Sequence, residues 1–332
     1  MGNTVIALDA MGGDNAPDIV VHGAAKILRK RNDVKFLLYG DEQRLAALID
    51  KHGITQRNRL DIVHTSLVIG SDAKPSLAFR KHKGSSMHLA ISAIAEGKAA
   101  GMVSAGNTGA LMVISRFALG VLPGVKRPAI ITYIPTMHGA SVMLDLGANV
   151  DCDSQELMQF AIMGSAFASL SKDNPSVALL NIGSEDTKGN RVVKDANSLL
   201  QSCNINFQGY IEANEIMKGK IDVIVCDGFV GNIALKMAEG TLQFFGRMSK
   251  RHFSRSWLSK LGALVAGNGL KQFAKMMDIR TYDGAMLLGL NGVVVKSHGS
   301  GDGVAFASSI EVALDAISNG VSDKIVSKIS NV

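Results

Sequence analysis

Val5-Ile-Ala-Leu-Asp-Ala-Met-Gly-Gly-Asp-Asn15 is an apolar run that breaks abruptly into acid, glycine and amide. An apolar run without polar alternation is a strand covered on both faces. The residues that follow are turn formers, and a helical pattern comes next. The same order recurs at Ser104-Ala-Gly-Asn-Thr-Gly109, Asp145-Leu-Gly-Ala-Asn149, Asn181-Ile-Gly-Ser-Glu-Asp-Thr-Lys-Gly-Asn190, Cys226-Asp-Gly-Phe-Val-Gly-Asn232 and Ser297-His-Gly-Ser-Gly-Asp302. Further strands are expected at Phe36–Tyr39, Leu60–Val63, Met102–Val103, Ala129–Ile134, Ser141–Leu144, Val177–Leu180, Val223–Cys226 and Val293–Val295. Helices are expected over Glu42–His52, Met87–Glu96 capped by Ser85, Asn107–Leu119, and from Asp153 or Ser154 to about Leu170. Alternating strands and helices predict a Rossmann-like three-layer αβα fold with a mostly parallel sheet, built as a single α/β unit over residues 1–332.

In a parallel sheet the turns that follow strands gather at the carboxyl edge, where α/β proteins bind ligands. The helices there begin with free N–H groups and a positive dipole end, which suits an anion. Six such turns are therefore expected to bring their polar residues together on one edge. The candidate phosphate and substrate binders are Gly12, Gly13, Asp14, Ser104, Gly106, Thr108, Gly183, Ser184, Asp227 and Gly228. Asp9, Asp14, Asp145 and Asp227 would repel an anion, so capping and orientation are their expected work.

Composition narrows the class. At 332 residues and 47% hydrophobic, the chain can bury a large core and is not a disordered segment. The net charge of +6 favours anionic partners. No zinc-finger spacing or RNA-type aromatic motif accompanies it, so nucleic acid is not an expected partner. Cys152, Cys203 and Cys226 are scattered, which argues against a disulfide framework and fits a reducing cytoplasm. Residues Met1–Ala10 show no basic leader and run straight into a strand, and no apolar run reaches the roughly 18 residues of a membrane span.

Several chemistries lack their signatures. There is no GxGxxG after the first strand, no GxxxxGK[ST], no GxSxG and no HExxH, so nucleotide, P-loop, serine-hydrolase and zinc readings are unsupported. No metal or other cofactor is expected. Cys226 precedes Asp227, whose charge would raise a thiol pKa, so a buried core cysteine is the better reading. His298, in a glycine turn, can donate a hydrogen bond or a proton.

Residues 232–277 depart from the alternation and predict a helical hairpin outside the sheet. A long helix over Asn232–Lys250 is followed by Phe253, Trp257, Leu258, Leu261, Leu264 and Val265 at helical spacing among basic residues. That pattern suits a helix on an anionic membrane surface or an apolar face in a dimer, and both readings stay open.

Several of these stretches resemble the bacterial acyl-[acyl-carrier-protein]:phosphate acyltransferases of phospholipid synthesis. The matching segments are Ala7–Pro17, Ser104–Ala110, Arg127–Ala129, Leu144–Asn149, Asn181–Asn190, Cys226–Asn232 and Lys296–Gly299, so the resemblance covers nearly the whole chain. It implies an isopropylmalate-dehydrogenase-like fold shared with phosphotransacetylases. It implies conversion of a long-chain acyl-carrier thioester and orthophosphate to acyl phosphate and free acyl carrier protein. It also implies a homodimer, cytoplasmic and peripheral at the inner face of the cell membrane, that hands its product to a membrane glycerol-phosphate acyltransferase.

Phosphate is itself a nucleophile, so such a site must position it and stabilise an oxyanion. Asn107, Thr108 and Asn232 are candidate oxyanion donors, and Lys188, between the glycines of its turn, is the candidate phosphate cation. Arg80, Lys81 and Lys83 form a second basic cluster for the site or for an acidic carrier. The rival readings are a phosphotransacetylase using coenzyme A thioesters, an NAD-linked decarboxylating dehydrogenase of the same fold, and a non-catalytic scaffold.

Overall fold

The computed structural model describes residues 3–330 except 76–78, 80, 81, 254 and 270–277, and at 258, 260, 261, 263 and 279 it describes backbone alone. Arg80 and Lys81 of the second basic cluster therefore lie outside the described residues, as do the side chains of Leu258 and Leu261.

Among the described residues eleven strands form one sheet: β1 Thr4–Asp9, β2 Val34–Gly40, β3 Leu60–His64, β4 Gly101–Ser104, β5 Ala129–Thr136, β6 Gly139–Leu144, β7 Ser176–Asn181, β8 Asn206–Glu212, β9 Val223–Val225, β10 Ala285–Leu288 and β11 Val293–Lys296. Their order is β3-β2-β1-β4-β11-β10-β5-β6-β9-β7-β8. Alternate residues of β1 feed opposite layers. Ile6 and Leu8 join a core with Val20, Ala24, Phe306 and Ile310, while Ala7 joins another with Met87, Ile91 and Met102. This two-sided burial is what the unbroken apolar runs require. The helices Asp18–Lys30 and Gly303–Ser318 cover one face of that half, and Ser86–Ala95 covers the other.

The sheet is mostly parallel but changes direction at its centre. β10 pairs antiparallel with β11 and with β5, and β5 pairs antiparallel with β6. The strands β1, β2, β3, β4 and β11 run one way, and β6, β7, β8 and β9 run the other. The expectation of one shared carboxyl edge is corrected here. The turns 9–15, 104–109 and 297–302 lie at one edge, and 145–149, 181–190 and 226–232 lie at the other. β10 and β8 were not expected from the sequence. β10 is a short run between Gly284 and Gly289, both at positive φ, and β8 carries a polar Asn-Phe-Gln-Gly-Tyr pattern at the sheet border.

The helical excursion begins at Gly228 rather than Asn232. A helix spans Gly228–Phe253, and a second follows at Trp257–Val265. Only Gly228 and Gly231 of the first are buried, whereas Phe244, Phe245, Phe253, Trp257, Leu264 and Val265 are exposed. Among the described residues no single helix is long and apolar enough to cross a membrane.

The long helix docks through glycine. A Cβ at Gly231 would lie 1.9 Å from the Asp145 carbonyl oxygen, and one at Gly228 would lie 2.6 Å from that of Asn149. Gly231→Ala is expected to cost ~1–3 kcal/mol in urea denaturation through forced backbone displacement. Gly240→Ala, in the same helix with open space around it, should be neutral or stabilising by up to ~1 kcal/mol. Equal stability of the two variants would refute the docking account.

Candidate active site

Each edge is organised around a buried aspartate. At the end of β1, Asp9 receives the hydroxyl hydrogens of Ser86 and Ser104, each at 2.6 Å on a separate oxygen. Burial pushes its carboxyl pKa up, against these hydrogen bonds. Ser104 Oγ also accepts from the Gly106 amide at 3.0 Å. The Asp14 amide donates to the Gly299 carbonyl at 2.9 Å and Asn15 Nδ2 to that of Gly301 at 3.3 Å, which ties the three turns of this edge together.

At the other edge Asp145 accepts from the amides of Ile130, Ala148 and Asn149, at 2.9, 3.1 and 2.6 Å, and from Asn149 Nδ2 at 3.0 Å. Burial raises this carboxyl pKa too. Asp227 Oδ1 accepts from the Val230 amide at 2.7 Å and so caps the long helix.

A cavity of about 680 Å³ joins the two edges across the face of β5 and beneath the long helix. Its apolar stretch is formed by Ile130, Ile134, Leu146, Leu235 and Leu242. Asn232 and Gly147 stand at one end, with Thr108, Lys296, His298 and Arg280 toward the other. Asp283 accepts from Ser297 Oγ at 2.6 Å and from the His298 amide at 3.0 Å, and burial raises its carboxyl pKa. His298 Nδ1 faces Ser300 Oγ at 3.1 Å. Arg280 is held by Asp278 at 2.6 Å and Asp302 at 2.9 Å, and Lys236 by Glu239 at 2.8 Å.

Of the residues expected from sequence, Thr108, Asn232 and His298 come together on this cavity. Asn107 is outside the cavity lining and its side chain is occupied locally. Its Oδ1 caps the Thr108–Leu119 helix at the Ala110 amide, and its Nδ2 is spent on the carbonyls of Ser71 and Ala73. Ser104 Oγ accepts from the Gly106 amide and donates to Asp9, and neither Ser104 nor Gly106 lines the cavity. Gly12 is a close-approach residue, where a Cβ would lie 2.3 Å from Asp9 Oδ2. Gly13, Asp14, Gly183, Ser184, Asp227 and Gly228 are also outside the cavity lining. Lys188 is exposed at the opposite edge from His298, with its stem against Gly183.

Sequence reasoning passed over Lys296, Lys236, Arg280 and Asp283 as site residues. Lys296 carried a readable signal, a lysine closing the apolar strand Val293-Val-Val-Lys296 just before the turn. It is half-buried, and desolvation lowers its pKa to about 8 against the opposing carboxylates of Asp283 and Asp9. Burial pushes the Cys226 thiol well up and takes that of Cys152 to about 12, so neither is a ready thiolate.

A family model described as "Fatty acid synthesis protein" matches residues 4–324. A phosphate acyltransferase of Rhodospirillum centenum is 49% identical over 96% of this chain and 91% of its own length. One from Wolbachia sp. subsp. Brugia malayi is 49% identical over 99% and 98%. A phosphotransacetylase from Streptococcus pyogenes superposes with a TM-score of 0.65 at 17% identity, covering 95% of this chain and 94% of that one. The EutD phosphotransacetylase from Staphylococcus aureus gives 0.60 at 20% identity, covering 94% of each. Those two likenesses establish the α/β fold.

Asp145→Ala is expected to destabilise the protein by about 3 kcal/mol or more, because each buried donor left unpaired costs ~1–3 kcal/mol. Asp14→Ala, at an exposed position, should stay within ~0.5 kcal/mol. Urea midpoints measure both, and an unchanged midpoint for Asp145→Ala would remove the aspartate from its structural role.

Proposed function

The chain belongs to the fatty acid synthesis protein family and is an acyltransferase, and from that premise we propose that it moves a long-chain acyl group from acyl carrier protein to orthophosphate, an early step of phospholipid synthesis. The observation that carries this reading is the cavity, whose apolar length ends among cations. An acyl chain lies against Ile130, Ile134, Leu146, Leu235 and Leu242, and the thioester and phosphate meet beside Lys296, His298 and Thr108. Orthophosphate attacks the thioester carbonyl directly, so no enzyme nucleophile is needed, and Thr108, at that end of the cavity, stabilises the developing oxyanion. No cofactor takes part.

The protein works as a homodimer in the cytoplasm, held peripherally at the inner face of the membrane. It passes its acyl phosphate to a membrane glycerol-phosphate acyltransferase, which spares a reactive anhydride from water. The exposed Phe253, Trp257, Leu264 and Val265 beside Arg247, Lys250, Arg251 and Arg255 support contact with an anionic surface.

Incubation with a long-chain acyl carrier thioester should release free thiol only when phosphate is present. Release independent of phosphate would refute the transferase reading, and faster turnover of acetyl-coenzyme A would move the chain to the phosphotransacetylases. Separately, Trp257→Asp combined with Val265→Asp should abolish sedimentation with anionic vesicles and leave soluble turnover within about twofold, since surface changes rarely disturb a fold. A double variant that still sediments would take this face off the membrane.

A further inference from the structure

Lys296 ends β11, level with Ser104 of β4 and with Ala285 of β10. Its side chain is half-buried and lines the cavity. Nζ donates to the Ala105 carbonyl at 3.2 Å and to that of Ser297, so one of its three N–H groups is left for a ligand. Arg280 and Lys236 line the same cavity, and both are bound to carboxylates. Lys296 has none within 4 Å among the described residues. The nearby Asp283 is committed to Ser297 Oγ, Ser309 Oγ and the His298 amide, and Asp9 to Ser86 and Ser104. A half-buried lysine without an ion-pair partner is partly desolvated at a cost, and such groups concentrate where chemistry needs them.

The geometry points to Lys296 as the group that protonates the departing sulfur of the thioester, an assignment that rests on the transferase reading above. Monohydrogen phosphate attacks the carbonyl carbon, the C–O bond forms and the C–S bond breaks. The sulfur takes a proton from Nζ. The neutral amine then recovers one from the hydroxyl of the phosphate, which leaves as the acyl phosphate dianion. Protons and charge balance without a further reactant. An alkyl thiol has a pKa of ~8.5, so it needs this proton near neutral pH, and a donor of comparable pKa supplies it best. The ammonium, lowered to about 8 by burial, is such a donor.

Lys296→Arg keeps the charge and cannot give up a proton near neutral pH. With a decanoyl alkyl thioester its kcat should fall ~100-fold or more, the usual worth of a general acid. With the decanoyl ester of thiophenol, whose thiolate leaves without protonation, phosphate-dependent turnover should return to within about tenfold of wild type. Equal loss on both esters, or near-normal turnover of the alkyl ester, overturns the assignment. Where the variant does not fold, wild-type rates along a series of thiols of rising pKa decide the matter: a shallow dependence supports a proton donor and a steep one overturns it. If the wild-type protein itself releases no thiol in response to phosphate, the transferase reading falls first. If the wild type turns over normally, only the role of Lys296 is at stake.

Discussion

The carboxylate of Asp145 is buried and answered by four N–H groups, and the position of the long helix follows from it. Those donors come from the start of β5 and from the turn after β6, so one side chain fixes two neighbouring antiparallel strands. The backbone of the same turn forms the seat for Gly228 and Gly231. A side chain at either glycine would lift the helix off the sheet, and the cavity lies under that helix. A buried polar knot of this kind is costly unless fully satisfied, and here it sets the height of the roof over the site.

The opposite edge repeats the arrangement with different parts. Asp9 is satisfied by the hydroxyls of Ser86 and Ser104, and Gly12 must lack a side chain because of that carboxylate. Glycines that look like a phosphate cradle in sequence are here used to bring backbone against buried acid. The reversal of strand direction through β10 and β5 is what gives the fold two such edges, and the cavity spans the distance between them. A ligand with an apolar body and a charged end suits that span better than a compact anion bound at one edge would.

Strands and their turns were legible because strands buried on both faces leave unbroken apolar runs, as at Val5–Leu8 and Val293–Val295. Relative direction was not legible, because β10 is four residues long and nothing in Ala285–Leu288 marks it as antiparallel. The candidate site was legible in part. Thr108, Asn232 and His298 line the cavity, whereas Asn107 is consumed as a helix cap, an assignment for which its sequence position argued equally well. Lys188 attracted attention through its glycines, yet the burial that makes a lysine chemically informative belongs to Lys296. Burial of a terminal strand residue depends on neighbours distant in sequence, here Ala105 and Asp283.

Burial acts differently on the thiols and on the lysine of this fold. Cys226 and Cys152 lie near the Asp145 edge, and burial with neighbouring acids keeps both thiols protonated. Desolvation acts in the opposite sense on Lys296, at the other edge, lowering its ammonium toward neutrality. Burial that silences a cysteine therefore makes a lysine a willing proton donor, because desolvation always favours the uncharged form.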